Sequence, residues 1–334
     1  MDTIEQIASE VGVSVTTVRR VLRGGNKETW PSAVRRARMI RDAAERLGYK
    51  ANWCAASLAR KSTRTIALVH HMVVPVPTDQ WLHIMEETVE VLHQAGYDLQ
   101  FVAGGSARTP QMLMEQRFDA CIVVHRLLPE IARAVEQADL PMVQLNCCES
   151  AMHPSIINDD VASGRTLTEH LINLGHKRIA YYHRSPEGQG HVSVQTRLDG
   201  VTQAMQQAGL PVGPVAFYED AQTCLDQVMQ MNDRPTAVVT YDDYDALPLQ
   251  HACWQSGVKV PDELSIATFN DTRQARYATP PLTTMDVPAA DAARAAVNVL
   301  LQWLAGDEQV QQLPQQLLPA KLIIRQSTGT APSC

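Results

Sequence analysis

The sequence predicts an all-α, helix-turn-helix head followed by an α/β core of two lobes built on parallel sheets. Three observations lead there. The first 64 residues read as helices only. After Arg64, short β-like runs alternate with helical stretches, the pattern of βαβ units and parallel sheets. About 270 residues of that alternation exceed one comfortable sheet, so two lobes are expected.

The head is justified element by element. Thr3 and Gln6 match a capping box, with Thr3 as N-cap. Ile4, Ile7, Ala8 and Val11 follow at helical spacing, and Gly12 supplies a turn. Ser14 is a second N-cap candidate and opens a helix over residues 15–22, with Val18 and Val21 inward. A longer helix is predicted from about Ser32 to Leu47, closed by Gly48, with Val34, Ala37, Ile40, Ala44 and Leu47 on its apolar side.

In the core, strands are predicted at 65–74, 99–103, 120–124 and 142–145, with a helix through Val91 that stops near Gly96. A second series has strands at 178–182, 237–240 and 264–269 and helices near 164–174, 195–208 and 246–256. A cleft between two such lobes, at the carboxyl ends of strands, is where ligands bind.

Charge divides the chain in the same place. Residues 1–64 carry 13 Lys+Arg against 6 Asp+Glu, leaving 16 and 30 to the rest, so a net −7 is the sum of a +7 head and a −14 core. The basic part suits a polyanion and the acidic part should stand away from it; a solvated basic helix surface is the alternative. No apolar run is long enough to span a bilayer, and the first residues lack the basic and apolar regions of a signal peptide, so a cytoplasmic location is expected. Seven scattered cysteines imply thiols rather than a disulfide framework.

Two short helices joined by a Gly-containing turn, the second capped by Ser, form the helix-turn-helix pattern, whose second helix enters the major groove. Val15, Thr16 and Arg20 are read as outward, toward base edges; Arg19 and Arg23 suit phosphates. An ordinary helical hairpin is the competing reading.

Four separated motifs carry a resemblance. Residues 3–22 (TIEQIASEVGVSVTTVRRVL), 43–52 (AAERLGYKAN), 168–180 (TEHLINLGHKRIA) and 281–284 (PLTT) resemble, in order and over essentially the whole chain, the lactose/galactose repressor (LacI/GalR) family. Three departures stand out: Arg19 where the family usually has Ser, a longer segment over 24–31, and Ala56 in place of a common Arg. The resemblance implies a DNA-binding domain over 1–48, a hinge over 49–64 and an effector-binding, dimerising core over 65–334 of the periplasmic-binding-protein-like (type I) kind. Lobe 1 would take about 65–160 and 287–320, and lobe 2 about 161–286 and 321–328.

By position, the implied DNA contacts are Thr3, Ser14, Val15, Thr16, Thr17, Arg19, Arg20, Arg23, Asn52, Ala55 and Leu58. Leu58 stands where the family wedges a side chain into the minor groove; the alternative is a side chain buried in a linker helix. The implied effector residues are His71, Trp81, His125 and Asn146 from one lobe, and Arg197, Tyr241, Asp242 and Asn270 from the other. Asp, Asn and Arg offer the paired donors and acceptors that sugar hydroxyls need, and Trp81 or Tyr241 offers a stacking face. Arg197 is singled out because a buried guanidinium needs an anionic or hydroxyl-rich partner. His71 and His125 can equally be structural imidazoles, and Asp243 and Asp271 can instead cap helices.

The expected partners are a palindromic double-stranded operator, a small-molecule effector such as a sugar or related metabolite, and a second copy of the chain; no cofactor, metal or membrane is expected. Two other classes compete. An enzyme lacks support, since Gly104-Gly105-Ser106 and Gly188-Gln189-Gly190 are too short for a phosphate loop, and Cys147-Cys148 with His153 lack zinc-site spacing. A transport-type solute-binding protein would need export.

Overall fold

The computed structural model describes residues 3–22, 30–50, 57–58, 60–71, 79–184, 191–212, 215–217 and 220–332. They fall into two units, Met1–Arg64 and Thr65–Cys334.

The head holds α1 (Thr3–Val11), α2 (Val15–Leu22) and α3 (Pro31–Arg46). Their inward stripes, Ile7 and Ala8, Val18 and Val21, and Ala37, Ile40, Ala43 and Ala44, close one small core. Ser14 caps α2 as its type and place predict, its Oγ accepting the Thr17 amide at 3.2 Å. Three expectations change. Thr3 lies within the first turn of α1 rather than at its cap. Val34 and Leu47 are exposed, because the stripe of α3 runs through Ala43 instead. Val15 is half-buried against the head core and does not point fully outward.

The core unit carries two six-stranded sheets. The first joins β1 (Thr65–His70), β2 (Asp98–Ala103), β3 (Ala120–Val124), β4 (Met142–Leu145), β5 (Ser155–Asn158) and β11 (Gln316–Leu318) in the order β11-β5-β4-β3-β1-β2, all parallel. The second joins β6 (Ile179–Tyr182), β7 (Val215–Phe217), β8 (Ala237–Thr240), β9 (Ser265–Phe269), β10 (Thr283–Asp286) and β12 (Lys321–Ile323) in the order β12-β10-β9-β8-β6-β7, with only β12 antiparallel.

Both sheets are buried on two faces, which is why their central strands are mostly apolar, with buried Gln144, Ser265, Thr268, Thr283 and Thr284 among them. In the first lobe, Ile66, Leu68, Ile122 and Val143 pack under α4 (Asp79–Gln94) and α12 (Ala289–Leu304). Ala67, Val69, Cys121 and Val123 face α5 (Thr109–Met114) and α6 (Pro129–Ala138). In the second, Ala180, Tyr182, Val238 and Ile266 meet α9 (Ala221–Gln230) and α10 (Asp243–Gln255). Ile179, Tyr181, Val239 and Phe269 meet α7 (Asp160–Asn173) and α8 (Ser193–Gln207), and a short α11 (Arg273–Tyr277) follows β9. The chain crosses between sheets three times: after β5, after β10 and after β11.

Two of the signature stretches are packing devices. His176, fully buried, joins Thr236 Oγ1 at 2.8 Å to the Gly329 carbonyl at 3.0 Å. Thr283 Oγ1 bonds Thr328 Oγ1, and the Thr283 amide donates to Ser327 Oγ at 2.8 Å.

The helices α7 and α8 cross at two glycines. A Cβ on Gly164 would collide with the Arg197 carbonyl oxygen, and one on Gly200 would collide with the Val161 carbonyl oxygen and stand 2.8 Å from the Arg165 amide. Alanine inside a helix normally stabilises by roughly 0.5–1 kcal/mol over glycine. Gly200→Ala should reverse that sign and cost about 1–3 kcal/mol by overpacking, read as a lower urea midpoint at unchanged slope. A midpoint at or above the parent's would refute the close crossing.

Candidate functional site

The carboxyl ends of the parallel strands gather the side chains of interest. Each sheet reverses its order once, between β1 and β3 in the first lobe and between β6 and β8 in the second, and crevices form at such points. His70 and His71 end β1, His125 follows β3, Asn146 follows β4, Tyr241 and Asp242 follow β8, and Asn270 follows β9. His125, Asn146 and Asn270 all have positive φ, at 70°, 53° and 97°. Histidine and asparagine enter that region more readily than most side chains, and clustered instances mark functional sites.

The wall of the first lobe is aromatic. Trp81 on α4 lies 4.1 Å from the His70 ring, which lies 5.2 Å from His125; Phe101 completes the group at 5.8 Å from Trp81. Burial pushes His70 down to about 4, helped by His71, and pushes His125 down to about 3, helped by His191 and His70. Both rings are therefore neutral at pH 7. The expectation named His71, but it is His70 that joins the ring group; His71 packs on the Gly105 turn. The buried Nδ1 atoms of His70, His71 and His125 have no hydrogen-bond partner among the described residues.

Arg197 organises the second wall. It is 4% exposed, and its Nε donates to Asp160 Oδ1 at 2.8 Å. Nη1 donates to the Tyr241 carbonyl at 2.6 Å and Nη2 to Asn270 Oδ1 at 3.3 Å. The guanidinium also lies over the rings of Phe269 and Tyr241, at 4.4 and 4.9 Å. Its anionic partner is thus inside the protein, so its burial does not by itself call for a ligand, and the same guanidinium positions Tyr241 and Asn270.

The carboxylates beside it also differ from expectation. Asp242 is the N-cap of α10, accepting the Asp245 amide at 3.1 Å. Asp243 does not cap; its Oδ2 accepts the Thr272 amide at 2.9 Å, and Thr272 caps α11. Asp271 pairs with Arg276 at 2.9 Å and Arg325 at 2.6 Å. Burial raises Asp242 to about 6, with Asp245 adding to it, and Asp243 to about 7. Asp245 in turn holds His183 at 2.8 Å and Arg184 at 3.2 Å.

The two walls meet through contacts that span the lobes. His191 Nε2 donates to the Asn146 carbonyl at 2.5 Å, and the Arg273 amide donates to Asp79 Oδ2 at 2.6 Å. The Gln80 amide reaches the Asn270 carbonyl at 3.5 Å. Sequence reasoning missed Asp160, His70 and His191. Nothing local ties Asp160 to an arginine 37 positions away, and only the fold brings the helices together. Cys147 and Cys148 point to opposite sides, one buried and one exposed, and no metal-binding group of His, Cys, Asp or Glu occurs among the described residues.

On the head, Thr16, Arg19 and Arg20 are exposed on α2, and neither arginine is bonded to another described residue. Thr3 and Thr17 are half-buried, and Thr17 Oγ1 meets Ser14 Oγ at 2.9 Å. Leu58 is 83% exposed among the described residues. Arg23, Asn52, Ala55 and Ala56 lie outside the described residues.

Removing one partner of a buried, bonded ion pair costs about 3–5 kcal/mol. Asp160→Ala should lose stability on that scale in urea, and Asp160→Asn, which keeps an acceptor, should lose less. A loss within error for Asp160→Ala would show that Arg197 is held by its other bonds.

Residues 168–328 match the family described as periplasmic binding protein-like domain. The HTH-type transcriptional repressor PurR of Vibrio parahaemolyticus serotype O3:K6 (strain RIMD 2210633) is 30% identical over 326 residues, covering 92% of this chain and 93% of its own. PurR of Haemophilus influenzae (strain PittEE) is 28% identical and covers 98% of both. Among solved structures, the lac repressor dimer bound to operator and the anti-inducer ONPF superposes with a TM-score of 0.80 at 25% identity, over 97% of this chain and 98% of that one. The regulator CelR in complex with cellobiose shares the fold with a TM-score of 0.69 at 22% identity, over 98% and 100%. None of the described helices is long and apolar enough to cross a membrane. With a repressor 30% identical along nearly its full length, the protein belongs to the LacI/GalR family of effector-controlled transcriptional repressors and is a regulator, not an enzyme.

Proposed function

We propose that the chain works in the cytoplasm as a homodimer that holds a palindromic operator with its heads and responds to a neutral, polyol-like molecule bound between its core lobes. The observation that carries the reading is the exposed face of α2, where Thr16, Arg19 and Arg20 stand free on a helix that Ser14 caps. Arg20 reads a guanine through two bonds, Thr16 and Val15 meet neighbouring base edges, and Arg19 neutralises phosphate. Ser14, Thr17 and Thr3 support that helix, and Arg23 is assigned a phosphate contact; residues 49–64, with Asn52, Ala55 and the exposed Leu58, serve as hinge and minor-groove wedge. The structural relative bound to operator supports this assignment.

For the effector, the lack of an unpaired cation among the assigned cleft residues favours a neutral ligand over an anion: Arg197 is paired with Asp160, and His70 and His125 are neutral imidazoles at pH 7. Asn146, Asn270 and Asp242 supply hydroxyl partners, and Trp81 with His70 and His125 forms the opposite wall, with His71 beside it on the Gly105 turn. The lobes are taken as about 65–160 with 287–320, and 161–286 with 321–328. A cellobiose-bound structural relative is consistent with a sugar. For the dimer, Trp254 and Tyr277 are 76% and 80% exposed on α10 and at the end of α11, large apolar surface that a second copy would cover.

Selection from random DNA should recover a two-fold symmetric site whose affinity falls steeply with salt. Arg20→Ala should relax preference at one base pair by about 1–3 kcal/mol, whereas Arg19→Ala should weaken all sequences alike. Recovery of sites without symmetry sinks the operator reading. Sedimentation tests the dimer: Trp254→Glu should shift it to monomer, and an unshifted species would place the interface elsewhere.

A further inference from the structure

We propose that His191 is a built-in occupant of the cleft, its imidazole standing where part of an effector binds and tying the lobes together until a ligand displaces it. This rests on the reading of the cleft as the effector site, and extends it to how that site is kept when empty.

The ring touches both walls. On the first lobe, Nε2 donates to the Asn146 carbonyl at 2.5 Å, and the ring lies 5.5 Å from His125. On the second, Nδ1 meets Ser193 Oγ at 2.7 Å, and Ser193 Oγ meets Tyr241 Oη at 2.9 Å. A carbonyl only accepts, so Nε2 carries the hydrogen and Nδ1 is bare. Ser193 then donates its hydroxyl hydrogen to Nδ1 and accepts that of Tyr241. Both ring nitrogens are satisfied, and burial favours the neutral ring, lowering its pKa against the opposing pull of the Asn146 carbonyl and Asp160. The other spanning contacts, Arg273 with Asp79 and Gln80 with Asn270, engage none of these groups on the Asn146–Tyr241 line.

Three of the groups it joins or abuts, Asn146, Tyr241 and His125, are the ones assigned to the effector. When the ring leaves, the Asn146 carbonyl needs a donor and the Ser193 hydroxyl needs an acceptor. A single hydroxyl group does both, and two adjacent hydroxyls do so without strain, which fits a polyol better than a carboxylate or a phosphate. An internal occupant lowers apparent ligand affinity by the fraction of time the site is filled. The cleft is thereby tuned to ligands that outcompete the imidazole's bonds to Asn146 and Ser193.

The test uses imidazole as probe. His191→Ala should bind one imidazole per chain saturably, with an affinity at least about tenfold above the parent's, the scale of two recovered hydrogen bonds. His83→Ala, at an exposed histidine of α4, should bind no better than the parent. Absence of saturable binding in folded His191→Ala, or equal binding by the parent, overturns the proposal. If His191→Ala does not fold, deuterium exchange at the histidine C2 position of the parent decides. His191 should exchange several-fold more slowly than His83; equal rates overturn the occupant. Neither readout uses DNA, so a failed operator selection and a failed occupant are separate results.

Discussion

The bond between Arg197 and Asp160 is the interaction on which the second lobe's binding face depends. A guanidinium and a carboxylate taken out of water are costly unless each finds the other in good geometry with its remaining valences filled. Here α7 and α8 come close enough to meet that demand only because Gly164 and Gly200 remove two side chains from the crossing. Asp160 lies one turn before Gly164 and Arg197 one turn before Gly200, so the glycine contact and the ion pair stack along one seam. The rest of the fork then fixes the Tyr241 carbonyl and the Asn270 side chain, at the ends of β8 and β9. A charge buried for structural reasons thus sets the direction of polar groups at the strand ends.

The outline of the fold was legible because its signals are local. Ala120–Val124, Met142–Leu145 and Ala237–Thr240 are mostly apolar runs of strand length, interrupted only by Gln144 and Thr240, and their bounds agree with expectation. The short edge strands Val215–Phe217, Gln316–Leu318 and Lys321–Ile323 carry no such run and were invisible. The helix Pro129–Ala138 was missed for another reason: its N-cap is Leu128, with no side-chain bond to announce it. In the cleft, positions at strand ends could be found by periodicity and resemblance. Which of two adjacent histidines faces the aromatic group, and which of Asp242 and Asp243 caps a helix, turn on local backbone geometry past the strand ends that sequence spacing does not carry.

The head and core also divide the electrostatic labour. The arginines of α2 are exposed and bonded to no other described residue, which leaves positive charge of the head open to an outside anion. In the core, by contrast, arginines are drawn into pairs, as with Asp160, Asp245 and Asp271. A surplus of aspartate at the second lobe's strand ends is accommodated partly by such pairs and partly by burial that favours protonation of Asp242 and Asp243.

The three crossings between the lobes have a mechanical consequence. They do not lie across the width of the sheets. β5 and β11 are neighbours at one edge of the first sheet, where the Asp159 amide bonds the Leu318 carbonyl, and β10 and β12 are neighbours at the corresponding edge of the second. The crossings therefore form a spine along one side, as in a book. With strands about 4.8 Å apart, the far edge at β2 stands roughly 20 Å from that spine. Rotation about it by ten degrees would carry the far edge about 3.5 Å while leaving the spine's hydrogen bonds nearly unstretched. The lever arm is a property of strand order, so a small adjustment at the ligand is converted into a large stroke at the rim without any loss of packing in either sheet.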